Sequence, residues 1–262
     1  MYPMKKTLYL AALSALLLSA TGCSENDLPE SDSAEVVLST RAGNETADFR
    51  LLVFDNSEGT CLFNQSFGSG NKSVKLANGT YRFVTLSGIE GFDLPAGGTT
   101  DDISLSTPIA LKAGSKCSPV QVSAPQKVSI PGTSVYTADL KPATCLLKPE
   151  LKNVPEGVTL ALTNMYNVVS LTGSYTGAEA VCPPYSLGSG ENICLPTNGN
   201  AVLQYTSGAG EPVSVSGTLD LGMPLEAGYT YSFTLQWHYG SLRLTSEIKK
   251  WVENSTVTGD AK

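Results

Sequence analysis

From residue 35 onward the chain never sustains the apolar stripe that a helix needs. No stretch keeps apolar residues at i, i+3, i+4 and i+7 through three turns, so no amphipathic helix has a face to bury. Alternation of period two recurs instead. Phe49, Leu51 and Val53 alternate with Arg50, Leu52 and Phe54; Val158, Leu160 and Leu162 share a face; Tyr229, Tyr231, Phe233 and Leu235 alternate strictly. Successive strand side chains point to opposite faces, so these segments are strands with at least one buried side. The 25 glycines, 15 prolines and a charged fraction of only 16% suit a turn-rich chain. The expected fold is all-β, built of short strands with hairpin and Greek-key connections. Asp55 to Gly59 reads as a turn that brings Cys61–Phe67 back against Phe49–Asp55. Asn78-Gly79 reads as the turn of a second hairpin, because both residues tolerate the positive φ of a two-residue loop. Gly177 to Asn200 reads as a long loop. A boundary at Pro131-Gly132-Thr133-Ser134 divides the chain into an N-terminal domain over 35–132 and a C-terminal domain over 133–262.

The first residues carry a different message. Lys5 and Lys6 precede an apolar run from Leu8 to Leu18, and Ser19-Ala20-Thr21-Gly22 leads into Cys23. A short apolar core ending in small residues is an export signal, too short for a membrane-spanning helix. The terminal cysteine resembles the bacterial lipobox. That resemblance implies a signal peptide over 1–22, cleavage after Gly22, and a lipid on Cys23. Residues 23–34 are acidic, contain proline and lack periodicity, which suits a tether; Ser24-Glu25-Asn26-Asp27 resembles a surface-export tag. The expected location is the outer membrane, as a surface-exposed lipoprotein.

Charge and side-chain chemistry exclude several functions. A net charge of -7 with four arginines supplies no basic stripe for nucleic acid. The one histidine, His238, and the absence of any CxxC argue against a zinc site. No G-x-S-x-G sequence opens a helix, and Gly68 to Ser73 lacks the spacing of a phosphate-binding loop. Asp93, Asp101, Glu156 and Glu191 could be drawn into a carboxylate pair, but no local pattern singles them out. No catalytic residue, cofactor or metal is expected. Six cysteines are present; with Cys23 lipidated, Cys61, Cys117, Cys145, Cys182 and Cys194 remain, an odd number. Cys182 and Cys194 are the local disulfide candidates, and Cys61 and Cys145 read as small buried hydrophobes. Trp237 and Tyr239 are candidate contacts for a glycan.

Four segments together resemble the fimbrillin superfamily: Phe49-Arg50-Leu51-Leu52-Val53-Phe54-Asp55, Leu76-Ala77-Asn78-Gly79-Thr80-Tyr81-Arg82-Phe83, Leu225-Glu226-Ala227-Gly228-Tyr229-Thr230-Tyr231-Ser232-Phe233, and Glu247-Ile248-Lys249-Lys250-Trp251. Their order and spacing carry the resemblance, with the lipobox and Thr40-Arg41-Ala42. It implies two transthyretin-like β-sandwich domains and a role in pilus assembly and cell adhesion. It also implies cleavage after Arg41, which frees an apolar groove for a donor strand of another fimbrial subunit. Glu35 to Thr40 is apolar enough to fill such a groove before cleavage; by its residues alone, Thr40-Arg41-Ala42 is equally a strand end before a glycine turn. The tail from Val252 to Lys262 holds only Val252 and Val257 as sizeable apolar residues, a poor donor strand. That favours an anchor, tip or accessory subunit over a stalk subunit. The alternative is a surface glycan-binding lipoprotein that does not polymerise, with host or bacterial glycans or proteins as partners.

Overall fold

The computed structural model describes residues 32–40, 48–68, 72–94, 102–177, 184–207 and 215–252. They form twenty-two strands and no α-helix, as the alternating patterns require. In chain order the first eleven are β1 (Ser33–Thr40), β2 (Phe49–Asp55), β3 (Cys61–Phe67), β4 (Ser73–Ala77), β5 (Gly79–Ser87), β6 (Phe92–Asp93), β7 (Pro108–Leu111), β8 (Gln121–Ser123), β9 (Gln126–Ile130), β10 (Val135–Ala138) and β11 (Leu140–Pro142). The others are β12 (Cys145–Lys152), β13 (Thr159–Leu162), β14 (Val168–Ser170), β15 (Tyr175–Thr176), β16 (Tyr185–Leu187), β17 (Asn192–Cys194), β18 (Asn200–Thr206), β19 (Ser216–Pro224), β20 (Tyr229–His238), β21 (Ser241–Leu244) and β22 (Lys249–Val252).

Five sheets result. β10-β1-β4 is a small one; β11-β8-β5-β2-β3 is larger, with β9 also on β5. In the C-terminal half, β17-β12-β20-β21, with β22 on β20, faces β16-β13-β18-β19 across a shared core, and β15-β14-β7-β6 joins strands from both halves. β10 and β11 follow Pro131 in sequence yet pair with β1 and β8. Two apolar clusters hold the sheets together. One lies between β10-β1-β4 and the inner face of β2 and β5; the other runs from Leu52 through Leu147 and Tyr231 to Leu242.

The β2–β3 hairpin forms as the sequence predicts, with Phe49 opposite Phe67 and Gly59 at φ 72° closing the turn. The Asp55 carboxylate accepts the backbone N–H groups of Ser57 and Glu58 at 2.7 and 2.8 Å. These hydrogen bonds, led by that from the Ser57 side chain, lower its pKa.

The second expected hairpin does not form. β4 pairs with β1, and β5 pairs with β2, β8 and β9, so Asn78-Gly79 turns a corner between two sheets. The reason is visible in the contacts. The Asn78 N–H donates to the Asp32 carbonyl at 2.8 Å, continuing the β1 ladder. The Tyr81 hydroxyl reaches back to the Ala77 carbonyl at 2.8 Å. A Cβ on Gly79 would lie 3.1 Å from that hydroxyl, so this glycine leaves room for a tyrosine ring instead of supplying a hairpin turn.

Gly88 ends β5 under tighter constraint. Its φ is +68°, and a Cβ there would meet the Pro119 carbonyl oxygen at 2.1 Å. The Ser118 hydroxyl donates to the Gly88 carbonyl, which locks the close approach of the two segments. Gly88→Ala is expected to destabilise the fold by about 2–3 kcal/mol, through the left-handed backbone and the displaced Pro119 segment. Equilibrium urea unfolding measures this.

Candidate functional site: a groove filled by the first strand

β1 is the central strand of its sheet. Residues 33–37 run antiparallel to β4, from Ser33 opposite Ala77 to Val37 opposite Ser73. Residues 37–40 run parallel to β10, from Val37 beside Val135 to Thr40 beside Ala138. The Val37 N–H donates to the Ser134 carbonyl at 2.9 Å and the Leu38 N–H to the Lys72 carbonyl at 2.8 Å. Ser39 and Thr137 share a side-chain hydrogen bond of 2.8 Å.

Alternation along β1 sorts its side chains. Val36 and Leu38 are buried, at 0% and 5% exposure, and Ala34 packs on the same cluster. Val37, between them, is 50% exposed. The floor beneath β1 is Leu51 and Val53 of β2 with Phe83 of β5, all fully buried. Each wall is tied to that floor. On β10, Tyr136 packs edge-on against Phe83 with ring centres 4.9 Å apart, and its hydroxyl lies 3.3 Å from that of Thr85; burial raises the Tyr136 pKa. On β4, Val74 is buried and Ala77 is held by Tyr81.

The geometry describes a slot for one strand. Adjacent strands lie about 4.8 Å apart; β4 lines residues 33–37 of β1 and β10 lines residues 37–40, so the two walls overlap at Val37. Removing β1 would bare the backbone edges of both walls and the apolar floor. Burying Val36 and Leu38 contributes roughly 1.5–3 kcal/mol each, in addition to the two ladders. The edges would remain in search of a strand of the same pattern, because unpaired strand edges template pairing.

Gly22, Cys23, Arg41 and Cys182 lie outside the described residues. Arg41 follows directly on Thr40, the last residue of β1. The aromatic pair read from the sequence divides. Trp237 is half-buried and packs edge-on against Tyr205, ring centres 5.7 Å apart. Tyr239 is 94% exposed, at the tip of the β20–β21 hairpin, with its ring 4.3 Å from that of His238. Its φ of 45° followed by 76° at Gly240 makes a two-residue hairpin turn with a tyrosine in the left-handed region.

Cys61, Cys117, Cys145 and Cys194 are all buried. Burial raises the Cys117 thiol to about 11 and pushes Cys194 well above its ordinary value. Sequence reading had no signal for β10 as a wall of the slot: it contacts β1 from 97 residues away, through a parallel ladder that no turn announces. A separate cavity of about 310 Å³, lined by residues including Leu111, Lys116, Leu162, Met165 and Tyr185, carries no carboxylate or histidine among its described lining residues. Among the described residues no group of His, Cys, Asp and Glu could hold a metal.

The family model described as fimbrillin-A associated anchor proteins Mfa1 and Mfa2 matches residues 33–256. The chain belongs to this family. Its fold is similar to that of the fimbrial anchor protein Mfa2 from Porphyromonas gingivalis, at 12% identity and TM-score 0.52, over 83% of this chain and 98% of that one. The tip fimbrial protein Mfa3 of the same organism, C-terminally truncated, aligns at 13% identity and TM-score 0.52 over 84% of this chain and 100% of its own. A Bacteroides thetaiotaomicron protein described as a candidate polysaccharide-binding protein aligns at 12% identity and TM-score 0.59, over 84% of this chain and 99% of that one. No curated protein sequence matches. The resemblance read from the strand segments therefore holds, and the chain is a fimbrillin-like cell-surface protein of the fimbrial anchor family.

The parity of β1 is directly testable. Leu38→Asp places a charge over Leu51 and Phe83 and is expected to cost more than about 3 kcal/mol. Val37→Asp, one residue away on the open face, is expected to cost less than about 1 kcal/mol. Chemical denaturation of the two variants checks the assignment of faces.

Proposed function

We propose that this protein is a lipid-anchored fimbrial anchor, tip or accessory subunit whose first strand plugs its own assembly groove. The observation that carries the reading is β1 itself: a strand near the chain start, central in its sheet, with Val36 and Leu38 sealing an apolar floor. A lipid on Cys23 holds the exported chain at the outer membrane. A cut after Arg41 detaches β1 and the lipid together. A donor strand from a neighbouring subunit then pairs between β4 and β10, with alternate apolar residues entering where Ala34, Val36 and Leu38 lay. With the bond intact the lipid is permanent and the chain is an anchor. The family description as anchor proteins supports that end of the range.

The test is cleavage at Arg41 in the purified mature protein, followed by mixing with an uncut subunit and with a peptide of residues 33–40. Peptide rebinding that Leu38→Asp in the peptide abolishes is the expected result. A cut chain that keeps β1 under native conditions, or that binds neither peptide nor subunit, overturns the donor-strand mechanism.

A second reading, a surface glycan binder that does not polymerise, is favoured by Tyr239 standing free at a hairpin tip and by the likeness to the Bacteroides thetaiotaomicron protein. On this reading the ring stacks on a sugar face. Glycan-array binding by the uncut protein, reduced at least tenfold in Tyr239→Ala, is its expected sign; an array with no ligand removes it.

A further inference from the structure

β17 is a three-residue strand at the edge of its sheet, and its one neighbour is β12. In that ladder Cys145 stands directly opposite Cys194. Residues directly opposite in an antiparallel pair have Cα atoms about 4.5 or 5.5 Å apart. Both values lie within the range of about 4.4–6.8 Å that a disulfide spans. The two side chains share one face and are buried, at 1% and 0% exposure. As thiols they lean apart along the ladder: the Cys145 sulfur lies 3.4 Å from the Cys194 carbonyl oxygen, and the Cys194 sulfur 3.8 Å from the Asn192 carbonyl oxygen. Forming the bond requires the side chains to turn toward each other, across the Cα separation typical of a directly opposed ladder pair.

The surroundings single out this pair. Cys117 comes from the segment before β8, and its N–H donates to the Tyr185 hydroxyl at 2.9 Å. That hydroxyl in turn donates to the Ile193 carbonyl at 3.0 Å. Cys117 thus lies beside β17 but has no register relation to it, whereas Cys145 and Cys194 are locked as ladder partners. Access is not an obstacle. β17 holds β12 through only three residue pairs, Cys145 to Leu147 against Cys194 to Asn192. A short edge strand is among the first parts of a sheet to open.

We propose that Cys145 and Cys194 are joined as a cross-strand disulfide in the exported protein. The inference rests on the export reading, since a reducing cytoplasm would keep both thiols. The oxidant is a disulfide, either of an oxidoreductase or of a small thiol. One cysteine thiolate attacks it and releases one thiol; the second cysteine attacks the mixed disulfide and releases the other. Two S–H bonds are lost and one S–S bond forms, and the two protons end on the two thiols released from the oxidant. The bond ties residues 49 apart in sequence. It staples the edge strand to β12, which is paired along its length with β20. In a protein that admits a foreign strand at one groove, this keeps a second sheet edge from opening to the wrong partner.

The experiment is peptide mapping of the protein extracted from the cell envelope, alkylated and digested without reduction. A Cys145–Cys194 linked peptide, with Cys61 and Cys117 alkylated, is the expected result. Alkylated Cys194, or Cys194 linked to Cys182 or Cys117, overturns the proposal. Recovery of the protein only in the cytosolic fraction would be a failure of the export reading. The purified chain incubated with glutathione disulfide then decides the pair: the link supports it, and its absence overturns it. Reducing the linked protein is expected to lower its melting temperature by roughly 5–10 °C; no shift counts against the staple. Cys61→Ala keeps the link and Cys145→Ala abolishes it. The comparison of oxidised and reduced unaltered protein stands even where the Cys145 variant fails to fold.

Discussion

A β-sheet with a strand missing from its middle cannot simply close. Its two flanking strands keep their backbone donors and acceptors aimed at the gap, and the apolar layer beneath stays open to water. In this protein β1 meets that demand. It satisfies β4 on one side and β10 on the other, and it seats Val36 and Leu38 on Leu51, Val53 and Phe83. The N-terminal core therefore depends on eight residues next to the chain's first described position. A strand held by two ladders and three apolar side chains is firm while attached.

Both neighbours of β1 are also tied to the larger sheet by side chains. β10 is fastened to the floor by the Tyr136 ring against Phe83 and by its hydroxyl at Thr85. β4 is turned out of the larger sheet at Asn78-Gly79 and fixed at its end by Tyr81. Neither fastening involves β1. Among the described strands, β1 is the one ladder partner of both β4 and β10, so these side-chain contacts are what tie the two strands to the larger sheet. Membership of the fimbrial anchor family gives this arrangement its biological setting.

The C-terminal half handles its edges differently. β20, the longest strand, is paired in parallel with β12 along seven positions, and it shares its other side between β21 and β22. β22 is held by its ladder and by Lys250, whose ammonium sits 2.7 Å from the Glu226 carboxylate and 4.0 Å from the centre of the Tyr229 ring. Contacts of this exposed kind contribute little individually. The strand with four exposed residues is thus a cap on an edge more than a part of the core. At the opposite edge β17 carries Cys194, the natural point for a covalent tie.

The sequence by itself determined the structural class and the inward face of most strands. Alternation is a local property, set by the pleat, and it survives from Tyr231 to Leu235; β2 is buried on both faces from Leu51 to Phe54, and Thr230 is buried beside Tyr231. The turn at Asp55 to Gly59 was legible for the same reason: its hydrogen bonds join residues within a few positions of each other. Tertiary structure alone decided the partners. Asn78-Gly79 has hairpin chemistry, yet β4 and β5 part because β1 and β2 compete for their edges more effectively than they pair with each other. Val135 lies beside Val37, and Cys145 faces Cys194, across separations that leave no period in the chain. Side-chain patterning records which face of a strand is buried, whereas pairing is made by backbone groups identical at every residue. The slot that defines this protein is a matter of pairing, and so it became visible only in three dimensions.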